Sequence, residues 1–185
     1  ANWIPCDAFD GRHTPERYRD LLESAADANM NMIRVWGGGR FENDAFYEIC
    51  DELGLMIYHD FMFSCALYPD DEHFYGLVRS ELAHQIRRLR DHPSIAVWSG
   101  DNECISLLMI DSGWPNELER HKAHFLKRTE VSESLVRQYD PARRFWPSSP
   151  CVGKPEIVAQ DPNRGDNHIW DVWFGKGNAW DYYRH

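Results

Sequence analysis

The amino-acid sequence predicts an α/β domain on a parallel sheet, and three features carry the prediction. Strand-length apolar runs alternate with helical patterns, the runs are apolar on both faces, and polar side chains collect just past their ends. A doubly wound open sheet and a (β/α)8 barrel share the alternation. An open dinucleotide-type sheet carries spaced glycines after its first strand, whereas Gly37-Gly38-Gly39 runs on into Arg40-Phe41-Glu42 without that spacing. Barrels keep their chemistry at the C-terminal strand ends, where Arg34, Trp36, Asp60, Asn102, Glu103 and His168 fall. The expectation is a (β/α)8 barrel, incomplete here, with residues 1–185 forming one partial barrel domain of about six of the eight strand–helix units.

The elements follow in order. Thr14 is a helix N-cap with Pro15 at the first helical position, and Tyr18, Leu21, Leu22, Ala25 and Ala26 share one face. Met32–Trp36 is a short strand. Asn43 caps the next helix, which buries Phe46, Ile49, Cys50 and Leu53 and stops at Gly54. Leu55–Phe61 is the second strand. A helix over about 71–90 turns Phe74, Val78, Leu82, Ile86 and Leu89 inward. Ser94–Trp98 is the third strand and leads into Ser99-Gly100-Asp101-Asn102-Glu103. After a loop with Trp114-Pro115, a polar helix spans roughly 118–139. Arg144–Trp146 is a fourth strand with Pro147 at its end, and Asp166–Trp170 is expected as a fifth.

Composition narrows the partners. With 43% hydrophobic and 27% charged residues, the chain is globular rather than disordered. A net charge of −10 argues against nucleic acid, which needs Lys and Arg against phosphates. No apolar run approaches a membrane span, and no basic-then-apolar leader opens the chain; either the mature protein starts here or an upstream piece is missing. Five cysteines without CxxC spacing form neither a disulfide framework nor a zinc site, and most read as small buried hydrophobes. Eight Trp give flat apolar faces that suit cores and sugar platforms alike. No cofactor and no metal are called for. His121 and His124, three apart on the polar helix among Glu119, Arg120 and Lys122, read as a solvated face.

Glu103 is the first candidate for chemistry. A carboxyl at an apolar strand mouth has its protonated form favoured, which moves it toward general-acid range. Asn102 beside it offers a donor and an acceptor to a hydroxyl. Asp101-Asn102-Glu103 reads equally well as a cap for the following segment. Arg34 and Trp36, two apart on one strand, face the same side, the first suited to orienting a carboxylate and the second to flooring a ring. Asp60 either holds ligand hydroxyls or pairs with Arg34. His59 reads as a packed histidine. His168 and Trp170 share alternate spacing, and a hydrogen-bonded buried histidine fits as well as a site residue.

Several long stretches then resemble one family. They are Asn2-Trp3-Ile4-Pro5 with Asp7, Ala28–Gly39, Phe46-Tyr47-Glu48 through Cys50–Gly54, Asp60–Phe63, and Cys65–Pro69. The most diagnostic is His92-Pro93-Ser94-Ile95-Ala96-Val97-Trp98-Ser99-Gly100 leading into Asn102-Glu103, and the match returns at Gly165–Trp173. Together they resemble the catalytic domain of glycoside hydrolase family 2, in its β-mannosidase branch. The resemblance implies a (β/α)8 barrel flanked by β-sandwich domains, a small oligosaccharide or glycoside substrate, and retaining hydrolysis through two carboxyls. It implies Glu103 as acid/base, Asn102 as a sugar contact, Arg34 as orienting the nucleophile, Trp36 as platform, and His168 near the end of a later strand.

The chain departs from the family pattern at Asp101, where Asn is common, and at His59, where Gln or a similar residue is common. An acid beside Glu103 is expected to raise its pKa further by repulsion. The family's nucleophile sits in a Ser-Glu-Phe/Tyr-Gly context, and no such stretch occurs up to His185; the chain is expected to be a piece of a longer enzyme and inactive alone. Rival readings are another family 2 specificity (β-galactosidase, β-glucuronidase or exo-glucosaminidase), a sugar-binding module without catalysis, and a nucleotide-binding domain using Gly37–Gly39.

Overall fold

Parallel strands and covering helices alternate along the chain, as the apolar runs require. The computed structural model describes residues 1–106, 118–153, 161 and 163–169. The strands are β1 (Asn2–Trp3), β2 (Met32–Val35), β3 (Met56–Asp60), β4 (Ile95–Ser99) and β5 (Arg144–Trp146). The helices are α1 (Pro15–Asp27), α2 (Asp44–Leu53), α3 (Glu72–Leu89) and α4 (Leu118–Tyr139), with a 3-10 turn at Asp10–Arg12. All neighbouring strands are parallel, and their order in the sheet is the order of the chain. A doubly wound sheet reverses direction at a switch point; this one does not.

Local chemistry sets the element ends. Thr14 Oγ1 accepts from Arg17 N at 3.3 Å to open α1, and Asp71 Oδ1 accepts from Phe74 N at 2.9 Å to open α3. Asn43 takes the N-cap position of α2 without a side-chain bond, and Gly54 closes that helix in the left-handed region at φ 69°. The sheet face toward the helices carries Ile33, Val35, Ile57, His59, Ile95 and Trp98, all buried. They form one core with Tyr18 and Leu22 of α1, Phe46 and Ile49 of α2, and Leu82 and Ile86 of α3. His59 is enclosed as expected. Its Nε2 meets Tyr47 OH at 2.8 Å and its Nδ1 meets Asp60 O at 2.7 Å, and burial lowers its pKa to about 4.

The opposite face carries a row set by register, Asn2, Arg34, Tyr58, Val97 and Arg144, and every member is less buried than the helix-facing residues. That row leads to the site.

Three expectations change. The structure adds β1, whose two residues are too few to show a period, so the described strands number five. Asp166–Ile169 is not a strand: Asp166 makes a single antiparallel bridge to Cys151, because its carboxylate is tied to that loop. His121 is buried and His124 pairs with Asp70 at 2.6 Å, so their helix face packs inward instead of meeting solvent. Most of the cysteines are buried as expected, Cys50, Cys104 and Cys151 among them, while Cys65 is exposed. Trp170, Trp114 and Pro115 lie outside the described residues.

Candidate active site

Arg34 is the hub of the strand mouth. Its Nη2 donates to Asp60 Oδ2 at 2.7 Å and to Asn102 Oδ1 at 2.9 Å, its Nε approaches Asp60 Oδ1 at 3.4 Å, and its Nη1 donates to Asn2 Oδ1 at 3.3 Å. Three strands thereby meet on one guanidinium, which a planar fork of donors allows and an ammonium would not. Asp60 has a side chain with 0% exposure and also accepts from Gly37 N at 3.0 Å. A Cβ at Gly37 would come within 2.5 Å of Phe63 O and 2.7 Å of Phe61 O, so only glycine brings that N–H so close. Asp60 therefore holds Arg34 and is not among the residues that line the cleft. Its burial pushes the carboxyl up to about 7, with Arg34 pulling it back down.

Past β4 the chain splits its three polar residues between two sides. Asp101 turns inward, pairs with Arg128 Nη2 at 2.8 Å, and accepts from Ser148 Oγ at 2.6 Å and Cys104 N at 3.2 Å. The capping role thus belongs to Asp101 alone, and its charge is matched by Arg128 rather than set against Glu103. Asn102 and Glu103 turn to the mouth. Asn102 Nδ2 reaches Ser64 Oγ at 3.1 Å and Cys65 Sγ at 3.3 Å.

Glu103 adopts φ 59°, a left-handed backbone that costs a non-glycine residue about 1–2 kcal/mol. The loop is pinned there by Asn102 N on Phe63 O at 2.9 Å and Glu103 N on Ser149 O at 2.8 Å. Strain held by neighbouring strand ends aims the carboxyl across the mouth, with 23% of the side chain exposed. Its Oε1 lies 2.6 Å from His168 Nδ1, and its Oε2 lies 3.4 Å from Cys65 Sγ.

The structure brings Arg34, Trp36, Asn102, Glu103 and His168 to one cleft of about 950 Å³. Asp60 stands behind it. Four contributors escaped the sequence reading: Asn2, Cys65, Ser149 and Asp166. Ser149 follows β5 as Glu103 follows β4, so the strand-end rule that found Glu103 also points to it. Asp166 precedes His168 by two residues, the same alternation that links Arg34 to Trp36. Its Oδ2 accepts from Ser149 Oγ at 2.5 Å, while its Oδ1 accepts from Trp146 Nε1 at 2.8 Å and Cys151 N at 2.9 Å.

Chemically, the cleft combines a partly exposed carboxyl paired with an imidazole, an amide, a guanidinium and an indole. That set suits a neutral polyhydroxylated ligand and a proton transfer. Among the described residues no group of three or more His, Cys, Asp or Glu is placed to hold a metal ion. Gly37 N and Gly39 N are bound to Asp60 and Trp36 O, so the triple-glycine loop has no free amide cradle for phosphates.

Comparison with known proteins gives the same direction. No family model matches the chain. Beta-mannosidase from Bos taurus is 46% identical over 183 residues, covering 92% of this chain and 21% of that protein. The crystal structure of beta-D-mannosidase from Dictyoglomus thermophilum superposes with a TM-score of 0.80 at 43% identity, over 96% of this chain and 21% of its own. A Bacteroides uniformis beta-glucuronidase 2 structure matches 71% of this chain at 23% identity, with a TM-score of 0.63, and shares the fold. The chain spans about a fifth of the length of the curated relatives it matches.

Proposed function

From kinship with the β-mannosidases over nearly all of this chain, we propose that it supplies the acid/base half of a retaining exo-β-mannosidase site in a (β/α)8 barrel. The observation that carries the proposal is the setting of Glu103: strained backbone, a hydrogen bond to His168, and an open side toward Arg34, Asn102 and Trp36. In the first step Glu103 gives its proton to the glycosidic oxygen while a second carboxylate attacks the anomeric carbon. In the second step Glu103 takes a proton from water, which displaces that carboxylate and frees the sugar. Asn102 meets the hydroxyl next to the reacting carbon, and Trp36 lies under the ring.

The second carboxylate must stand about 5–5.5 Å from Glu103 for retention. Asp60 is sealed under Arg34, and Asp166 is engaged by Trp146, Ser149 and Cys151. Neither is placed to attack, and the family's Ser-Glu-Phe/Tyr-Gly context, which does not occur up to His185, assigns the nucleophile to sequence beyond this chain. The remaining strands close the barrel over the row Asn2, Arg34, Tyr58, Val97 and Arg144, and β-sandwich domains flank it.

The test is Glu103→Ala in the protein carrying this chain. Hydrolysis of a β-mannobioside should fall by about 10²–10⁴-fold, and azide should restore turnover of a dinitrophenyl β-mannoside with the β-mannosyl azide as product. Undiminished hydrolysis of the mannobioside would refute the assignment. A panel of aryl β-galactoside, β-glucuronide and β-glucosaminide separates mannose from the other family 2 sugars.

A further inference from the structure

His168 is not a free side chain awaiting a sugar. Each of its nitrogens is already engaged, Nδ1 by Glu103 Oε1 at 2.6 Å and Nε2 by Ser149 Oγ at 3.0 Å. Ser149 in turn lies 2.5 Å from Asp166 Oδ2. Four groups from the loops after β4 and β5 and from the 163–169 segment therefore form one line, Asp166–Ser149–His168–Glu103.

The protons along this line are fixed from its far end. Asp166 Oδ1 accepts two N–H bonds, from Trp146 and from Cys151, which leaves Oδ2 to meet Ser149. An ionised Oδ2 can only accept, so Ser149 spends its single proton there and presents a lone pair to His168. Nε2 must then carry the imidazole hydrogen. Arg34 Nη1, which can only donate, stands 3.4 Å from the same nitrogen; Nε2 cannot both accept from it and donate to Ser149, and the 3.0 Å contact to Ser149 is the shorter of the two. With Nε2 protonated, a neutral His168 offers Nδ1 as an acceptor to Glu103. A short contact at that point needs a proton on Glu103.

We propose that Asp166 and Ser149 are positioning residues that lock His168 in the Nε2–H tautomer, so that its Nδ1 lone pair retains the general-acid proton on Glu103. The proposal rests on the acid/base reading of Glu103 and deepens it. In the opposite tautomer, Nδ1–H would donate to the carboxylate, stabilise its ionised form and release the proton at lower pH. Among the described residues, titratable or charged groups that face the pair include Cys65 at Glu103 Oε2 and Arg34 at His168 Nε2, with Asp60 behind the arginine and Tyr58 lining the same cleft. Arg34 opposes the lock at Nε2, since its N–H favours a lone pair there, while its positive charge disfavours an imidazolium.

Asp166→Asn inverts the pattern while keeping the shape of the side chain. The two N–H donors at Oδ1 require the amide oxygen there, which leaves the amide NH₂ facing Ser149. Ser149 then accepts from residue 166 and donates to Nε2, and His168 is forced to carry its hydrogen on Nδ1.

The experiment compares wild type, Asp166→Asn and Ser149→Thr in the protein carrying this chain. It reads the pH profile of kcat/KM on an aryl β-mannoside and the ¹⁵N shifts of labelled His168. Wild type should show the Nε2–H tautomer. Asp166→Asn should show Nδ1–H and a basic limb moved down by about one pH unit, roughly tenfold in kcat/KM on that limb, with KM little changed at low pH. Ser149→Thr, which keeps the hydroxyl, should retain the wild-type limb. An unchanged tautomer in Asp166→Asn, or an unchanged limb with active enzyme, overturns the lock. A wild type inert on β-mannosides that still shows the tautomer switch overturns the functional reading and leaves the lock standing.

Discussion

Arg34→Met removes the only cation found within bonding distance of Asp60 among the described residues, and the structure gives the cost. The guanidinium makes two bonds to Asp60, at 2.7 and 3.4 Å, across a pair with 15% and 0% side-chain exposure. Stripping one partner from a buried pair costs about 3–5 kcal/mol, chiefly the penalty of an unpaired buried charge. Asp60 keeps the Gly37 N–H, which argues for the lower end, about 3 kcal/mol. The loss should depend on pH. The folded carboxyl is pushed up to about 7 from an ordinary value of 3.8. The folded state therefore holds more protons than the unfolded state between those values, and ionisation of Asp60 weakens the fold as pH rises through that window. At pH 5 both proteins carry a largely neutral Asp60, and the loss should shrink to about 1 kcal/mol. Hydrogen exchange of the β2 and β3 amides reads the opening free energy of this region apart from the rest of the protein. Asp60→Asn added to Arg34→Met should recover more than half of the loss at pH 8. A loss under about 1 kcal/mol at pH 8, or one that does not change with pH, would refute the reasoning.

Further outcomes follow from other contacts. His59, buried neutral with a folded pKa lowered to about 4 from 6.5, contributes stability that is complete above pH 6.5 and fades as pH falls toward 4. His59→Gln can keep both hydrogen bonds and should abolish about 3 kcal/mol of that acid sensitivity, read as the difference between the two proteins' stabilities at pH 7 and pH 4.5. Arg128→Met leaves Asp101 buried and unpaired, with the Arg128 and Asp101 side chains only 6% and 1% exposed. It should cost about 3–5 kcal/mol and lower kcat by loosening the Glu103 loop, with Asp101→Asn restoring part of both in thermal unfolding and activity assays. Cys65 stands 3.4 Å from Glu103, and burial pushes its thiol up. Alkylation should be slower than for a free thiol at pH 8 and should abolish activity once complete, with a β-mannoside competitor slowing it in timed mass spectrometry.

Much of this was legible in the sequence because periodicity and capping are local. Thr14, Asp71 and Gly54 mark helix ends that the backbone bears out, and the helix-facing residues of β2 to β4 are apolar apart from His59. The positions of Arg34, Asn102 and Glu103 followed from the strand-end rule. Three things were not legible. Asp101 and Glu103 are neighbours of one chemical type, and their divergence depends on a positive φ that sequence does not display. Asp60 had two equally good roles until the Gly37 approach closed it off from the cleft. Ser149 and Asp166 sit in loops without period, and their significance lies in a line of contacts across 17 and 19 residues. The helix of His121 and His124 was misjudged because charged neighbours mask an inward face that also carries Phe125 and Arg128.

Whether Glu103 is one of two carboxyls acting on the same anomeric centre is decided by a crystal structure of Glu103→Gln in the protein carrying this chain, bound to an intact β-mannobioside. The residue 103 amide should lie within about 3 Å of the glycosidic oxygen, with a glutamate from beyond this chain about 5–5.5 Å across the cleft. A sugar seated away from residue 103, or a facing carboxyl at about 6.5–9.5 Å as inversion requires, would contradict it.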